Sequence, residues 1–126
     1  MITDIIGISG SRVDYPIAPI YRYIRTLQPR KRSILIVQGG AAGVDHNAKR
    51  YAQSLGFAVA TIPYFHEYGN RGGYIRNEVL VDFVHRLVAF WDLESRGTKH
   101  AIDIAKAQGK LELVYGPKGE AVNVKD

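Results

Sequence analysis

Four segments of this chain place glycines beside hydroxyl, guanidinium or amide groups. They are Gly7-Ile8-Ser9-Gly10-Ser11-Arg12, Gly39-Gly40-Ala41-Ala42-Gly43-Val44-Asp45, Arg71-Gly72-Gly73-Tyr74-Ile75-Arg76-Asn77 and Ser95-Arg96-Gly97-Thr98. Glycine lets backbone N–H groups approach an anion and form concave nests, while arginines and hydroxyls add charge-assisted hydrogen bonds. Phosphate binding is the chemistry these residue types suit. Each segment alone also reads as an ordinary turn, so the expectation rests on the four lying together.

The candidate ligand contacts are Gly10, Ser11, Arg12, Gly39, Gly40, Ala41, Gly43, Asp45, Arg76, Asn77, Ser95, Gly97 and Thr98. Arg76 is read as a bidentate phosphate clamp, and Arg12 either as a second clamp or as a solvated side chain. Asp45, at the start of a helix, either caps exposed N–H groups or meets a ribose hydroxyl. Asp92 has the same two readings. Trp91 is expected to pack rather than to stack a base.

Other chemistries find little support. His46, His66, His85 and His100 lack metal-ligand spacing, and the chain has no cysteine, so neither a metal nor any other cofactor is expected. Ser95, His100 and Asp103 are the residue types of a hydrolase triad, but one short loop and helix would string them along a single element.

The elements that must position these segments alternate. Asp4 to Ser9, Ser33 to Val37, Phe57 to Ile62, Arg86 to Trp91 and Leu111 to Tyr115 are short apolar runs closed by turn residues, which predicts five strands. Between them, helical spacing predicts helices over Tyr15 to Leu27, Val44 to Leu55, Tyr74 to Val84 and Thr98 to Gln108, with Pro63 to Gly73 as a loop. Strands apolar throughout and separated by helices imply an α/β fold: a Rossmann-like, doubly wound parallel sheet of about five strands with helices on both faces. Ligands of such sheets bind beyond the carboxyl ends of the strands, where all four segments should fall.

The 126 residues are expected to form a single domain, with its core at 4–115 and 116–126 as a tail or an added edge strand near Ala121 to Val124. Apolar residues at 46% and charged residues at 23% suit a globular chain. No apolar run could span a bilayer and the first residues lack a signal peptide's basic region, so no membrane partner and a cytoplasmic location are expected. The net charge of +5 raises nucleic acid as a partner. Its densest group, Arg25, Arg30, Lys31 and Arg32, falls at the edge opposite the ligand crevice and is read as a solvated basic loop. A homo-oligomer is expected because the helix from Tyr74 to Val84 is apolar around more than one face.

In order, Gly-Ser-Arg, Gly-Gly-Ala-Ala-Gly-Val-Asp, Ile-Arg-Asn and Ser-Arg-Gly-Thr-Lys-His give the chain, from about residue 5 to residue 115, a pattern that resembles the SLOG superfamily. The resemblance is to its YspA/YpsA-like branch, and it implies a Rossmann-like sheet that binds nucleotides or nucleotide-derived signals. Relatives include the LOG-type phosphoribohydrolases, which use an arginine and a glutamate, the latter in Pro-Gly-Gly-x-Gly-Thr-x-x-Glu. Arg76 can stand for that arginine and Gly97-Thr98 for the Gly-Thr, whereas Glu94-Ser95-Arg96 replaces Pro-Gly-Gly and Ala101 replaces the glutamate. Alanine can neither stabilise positive charge on a ribose nor move a proton.

The leading expectation is therefore a binding protein, and a candidate sensor, for a nucleotide-like small molecule bearing phosphate. Its alternatives are a nucleotide hydrolase or phosphoribohydrolase using Arg76 with an acid such as Asp92 or Glu78, and single-stranded DNA binding, as in the DNA-processing protein A relatives of that superfamily, for which the net charge and Arg30 to Arg32 are the motive.

Overall fold

The structure, a computed structural model, describes residues 1–124; Lys125 and Asp126, the end of the expected tail, lie outside the described residues. The elements run β1 (Asp4–Gly10), α1 (Ile17–Thr26), β2 (Ile34–Gln38), α2 (Val44–Ser54), β3 (Ala58–Thr61), α3 (Gly72–Phe83), β4 (Arg86–Phe90), α4 (Arg96–Ala107) and β5 (Leu111–Tyr115). Two 3-10 turns, Gln28–Ser33 and His66–Arg71, precede β2 and α3. All neighbouring strands pair in parallel, in the order β3-β2-β1-β4-β5.

Alternation along the strands builds two cores, because successive side chains point to opposite faces of a sheet. Ile6, Ile8, Ile34, Ile36, Val88 and Phe90 are buried with Ile20 and Ile24 of α1 and Val44, Ala48 and Ala52 of α2. Val37 and Leu87 are buried on the other face with Leu80 and Val81 of α3 and Ala101 and Ala105 of α4. The doubly wound α/β sheet expected from the sequence is thus the fold. The chain lays down β1, winds outward to β3, and crosses back to β4, so the strand order reverses between β1 and β4.

Local differences from expectation have local causes. Pro16 stands as the residue before α1 rather than in its first turn. α3 begins at Gly72, and part of the expected loop before it is a 3-10 turn. Beyond β5 the expected edge strand is a single antiparallel bridge, Tyr115 to Ala121. The chain turns back there because Gly116 donates to the Glu120 carbonyl at 2.7 Å, and Tyr15 anchors that turn by donating its hydroxyl to the Gly116 carbonyl at 2.6 Å.

Candidate functional site: an arginine-flanked cleft at the strand-order reversal

Ser11, the residue after β1, is buried and links three elements. Its N–H donates to the Phe90 carbonyl at 3.1 Å, its carbonyl accepts from the Val44 N–H at 3.0 Å, and its hydroxyl accepts from the Asp92 N–H at 2.9 Å. Asp92 in turn accepts at Oδ1 from the amides of Glu94 and Ser95, at 2.9 and 2.7 Å. Burial pushes its carboxyl up, but the Ser95 and Glu94 amides and the Ser11 hydroxyl outweigh that, leaving its pKa below the ordinary value. Asp92 therefore shapes the loop into α4.

A second set of bonds starts at the end of β2. The Gly39 N–H donates to Asp45 Oδ2 at 3.2 Å, and the Gly39 carbonyl accepts from Arg76 Nη1 at 2.6 Å. Arg76 Nε donates to Asn77 Oδ1 at 3.0 Å, and Asn77 Nδ2 donates to the Gly97 carbonyl at 3.0 Å. One continuous chain of bonds therefore runs from the β2 loop through α3 to the start of α4. Asn77 Nδ2 also lies 3.3 Å from His100 Nδ1. An amide nitrogen only donates, so Nδ1 is the acceptor and His100 is neutral. Burial lowers its pKa in the same sense, against the pull of Glu78 and Asp103.

Arg76 is only 8% exposed. Burial lowers its pKa and Arg12 lowers it further, while Asp45 and Tyr64 resist; a guanidinium starts so high that it remains charged. Asp45 is also buried, with Oδ1 left without a partner. Its pKa is raised from 3.8 to about 6 by burial, against Arg76, the Ala41 and Gly39 amides, and Arg12.

A carboxyl raised in the folded state is deprotonated first in the unfolded chain, so its contribution to stability is greatest below about pH 4 and falls as pH rises through about 6, by about 3 kcal/mol in all. Between about pH 7.5 and about pH 5 the wild type is accordingly expected to gain about 1.4 kcal/mol of unfolding free energy that Asp45→Asn does not. Urea unfolding of both proteins at the two pH values measures it, and parallel pH profiles would refute the assignment.

These bonds revise the expected amide nest. The N–H of Gly39 and that of Ala41, at 3.3 Å, are both taken by Asp45 Oδ2, and the N–H of Gly40 by Gln38 Oε1 at 2.5 Å. Gln38 is fully buried and is itself held through Nε2 by Thr61 Oγ1 at 2.5 Å and the Ala60 carbonyl at 3.3 Å. An anion here would meet arginine side chains rather than those three amides.

The space in front of this frame is a cleft of two lobes. The larger, about 720 Å³, is lined by Arg12, the backbone from Gly39 to Ala42, Thr61, Pro63, Tyr64, His66 and Arg76. The smaller, about 270 Å³, is lined by Arg12, Tyr64, Asn70, Gly73, Tyr74, Arg76, Asn77 and Gly97. Arg12, Tyr64 and Arg76 border both. Among the described residues no carboxylate lines either lobe. Arg12 is exposed and makes no hydrogen bond among the described residues.

Of the candidates from sequence, Arg12, Gly39, Gly40, Ala41, Arg76, Asn77 and Gly97 line the cleft. Gly10, Ser11, Gly43, Asp45, Ser95 and Thr98 line neither lobe, and neither do Asp92 and Glu78. Ala101, at the glutamate position of the LOG-type pattern, is buried. Trp91 packs against the cluster of Ala89, Ile102 and Val114, and its indole N–H donates to the Ser95 carbonyl at 3.0 Å. Ser95, His100 and Asp103 do not converge: Asp103 pairs with Lys99 at 2.8 Å, and Ser95 Oγ lies 3.2 Å from Thr98 Oγ1.

Sequence reasoning missed Gln38, Thr61, Pro63, Tyr64, His66, Asn70 and Tyr74. The aromatic, glycine-rich composition of 63–73 was the available signal for most of them. Among the described residues no group of three His, Cys, Asp or Glu side chains is placed to hold a metal, and no helix is long and apolar enough to cross a membrane.

No protein-family model and no curated protein matches this sequence. Solved structures do match. DNA processing protein A from Helicobacter pylori, described for its single-stranded DNA binding mode, superposes with a TM-score of 0.66 at 17% identity, over 89% of this chain and 64% of that one. DNA processing protein A from Streptococcus pneumoniae gives a TM-score of 0.72 at 15% identity, over 90% of this chain and 50% of that one. The structural-genomics target TM1055 gives 0.67 at 22% identity, over 86% of this chain and 72% of that one. The chain thus spans only half to just under two thirds of the DNA processing protein A chains it matches. What these proteins share with it is the Rossmann-like α/β fold.

Proposed function

We propose that this chain binds a nucleotide or nucleotide-derived, phosphate-bearing ligand in the two-lobed cleft and serves as a sensor of it. One observation carries the reading: two arginines border both lobes and, among the described residues, no carboxylate lines either. Guanidinium groups in a partly desolvated cleft select anions, and their planar forks suit phosphate. The aromatic rings of Tyr64 and His66 add flat surface on which a base can rest, as aromatic side chains do for unpaired bases. Ser11 and Asp45, outside the lining, hold the loops that shape it.

Mass spectrometry of ligand carried through purification, with thermal-shift screening against nucleoside mono- and diphosphates, tests the reading. A shift from no nucleotide, with nothing carried through, would sink it. In Arg12→Ala, affinity for the best-binding nucleotide is expected to fall about tenfold to a hundredfold, the loss of one charge-assisted contact. The melting temperature should change little, because Arg12 makes no hydrogen bond or ion pair among the described residues. Calorimetric titration of wild type and variant reads both.

A second reading, single-stranded DNA as the source of the phosphate, is supported by the description of the Helicobacter pylori fold neighbour. Hydrolysis has less support, since the two acids considered for it stand outside the cleft lining. Self-association belongs to the same proposal: Val79 and Phe83, four residues apart on α3, are 40% and 47% exposed, an apolar surface of the kind a second copy would cover.

A further inference from the structure

The net charge of +5 is not spread over the molecule. Residues 17–54, from the start of α1 to the end of α2, carry seven of the 17 Lys and Arg residues and one of the 12 acids, a net of +6, so the rest of the chain sums to −1. The single acid is the buried Asp45. These two helices share one face of the sheet, and neither presents an exposed carboxylate. The opposite layer differs: Glu78 and Asp82 of α3 and Asp103 of α4 stand exposed among Arg96 and Lys99.

Arg22, Arg25, Arg32 and Arg50 are exposed and make no hydrogen bond or ion pair among the described residues. Their neighbours on this layer are otherwise engaged: Arg30 pairs with Asp4 at 3.5 Å, and Lys31 donates to the Leu55 carbonyl at 2.9 Å. On α2, Arg50 borders a shallow groove of about 510 Å³ with His46, Lys49, Gln53 and Ser54, every one able to donate a hydrogen bond.

Solubility alone would be met by mixed signs, as on α3 and α4. The helix dipole accounts for Arg25, which lies in the last turn of α1, but α2 has no basic residue in its last turn, so it does not account for Arg50. A bilayer partner would require exposed apolar anchors, and Ile17 is the only large exposed hydrophobic residue on these two helices. Guanidinium groups on helices that present no exposed carboxylate of their own suit a phosphodiester backbone.

We propose that the α1/α2 layer is a sequence-independent nucleic-acid binding surface, separate from the cleft at the strand ends. It contacts phosphates through Arg22, Arg25, Arg32 and Arg50, with the α2 groove as part of the track. The surface does not depend on the cleft's being a nucleotide site.

Fluorescence anisotropy of a labelled oligothymidylate, titrated at several salt concentrations, tests it with the triple variant Arg25→Glu/Arg32→Glu/Arg50→Glu. Wild-type affinity is expected to fall steeply with salt. The triple variant should bind at least about tenfold more weakly, and its logarithmic salt slope should drop by about 2, the value for three lost contacts to a single strand. Its melting temperature should fall only slightly, by the helix-dipole contribution of Arg25, and its thermal shift with nucleoside phosphates should match the wild type, since the three side chains make no hydrogen bond or ion pair among the described residues and stand outside the cleft. Wild-type affinity in the triple variant, abolition of oligonucleotide binding by Arg12→Ala alone, or binding to phosphatidylserine vesicles with none to the oligonucleotide would each overturn the proposal.

Discussion

Replacing Arg76 with alanine is expected to lower nucleotide affinity at least about a hundredfold and unfolding free energy by about 4 kcal/mol, the largest combined effect among the cleft side chains. Both losses come from one guanidinium. Nη1 is donated to the Gly39 carbonyl and Nε to Asn77, so truncation releases the β2 loop and frees Asn77 from its partner on the α3 side. The larger part of the stability cost falls on Asp45. Its carboxylate is buried with one oxygen unpartnered, and Arg76 is the strongest of the influences that hold its pKa down against burial. Without that charge, the carboxyl should take up a proton at higher pH still, steepening the stability loss between about pH 5 and 8.

Arg76→Lys separates the contributions. An ammonium keeps the charge near Asp45 but cannot reach Gly39 and Asn77 together with a planar fork, so stability should recover more than affinity. Urea unfolding and calorimetric titration of the two variants give the answer. If Arg76→Ala unfolds with the wild type, the chain of bonds from Asp45 to Gly97 does not organise the site.

What the sequence revealed depended on how local the signal was. Strands such as Ile34–Gln38 are apolar runs ended by glycine, so their positions and the parallel sheet followed from residues a few places apart. α3 starts at Gly72, two residues before Tyr74, where the expectation began because the glycine-rich run up to Gly73 carries no helical apolar spacing. The structure supplies the reason for Gly72: a Cβ there would overlap the Phe65 carbonyl, so the helix starts on a glycine that lets the preceding segment cross it.

The site was legible only in part, for a related reason. Arg76, Asn77 and the Gly39 loop stood out by residue type. That Asp45 reaches back to the Gly39 and Ala41 amides, and that Gln38 takes the Gly40 amide, depends on the path of the loop in space. The same spacing served equally well for a helix cap. Tyr64 and His66 reach the cleft because β3 is the edge strand beside β2, a consequence of topology that no motif in 63–73 encodes.

Gly43→Ala is expected to destabilise the fold by about 4 kcal/mol and to take ligand binding with it. Gly43 has φ 78° and ψ −125°, a backbone conformation that costs other residues heavily. A Cβ at this position would also lie 2.5 Å from the carbonyl oxygens of both Ser11 and Arg12. Here the loop after β2 crosses the turn after β1, so the methyl group cannot be accommodated by a side chain swinging aside. Relief requires moving Ser11, which would strain its bonds to Phe90, Val44 and Asp92 together.

Gly97→Ala supplies the contrast. A Cβ on Gly97 meets nothing within 4 Å, and Gly97 lies in the first turn of α4, where alanine is the better helix former. Its stability should stay within about 1 kcal/mol of the wild type. Any loss of affinity there would come from the methyl group entering the smaller lobe. Thermal unfolding of the two variants side by side decides the matter, and a Gly43→Ala protein that melts with the wild type would mean that the two loops do not cross as closely as described.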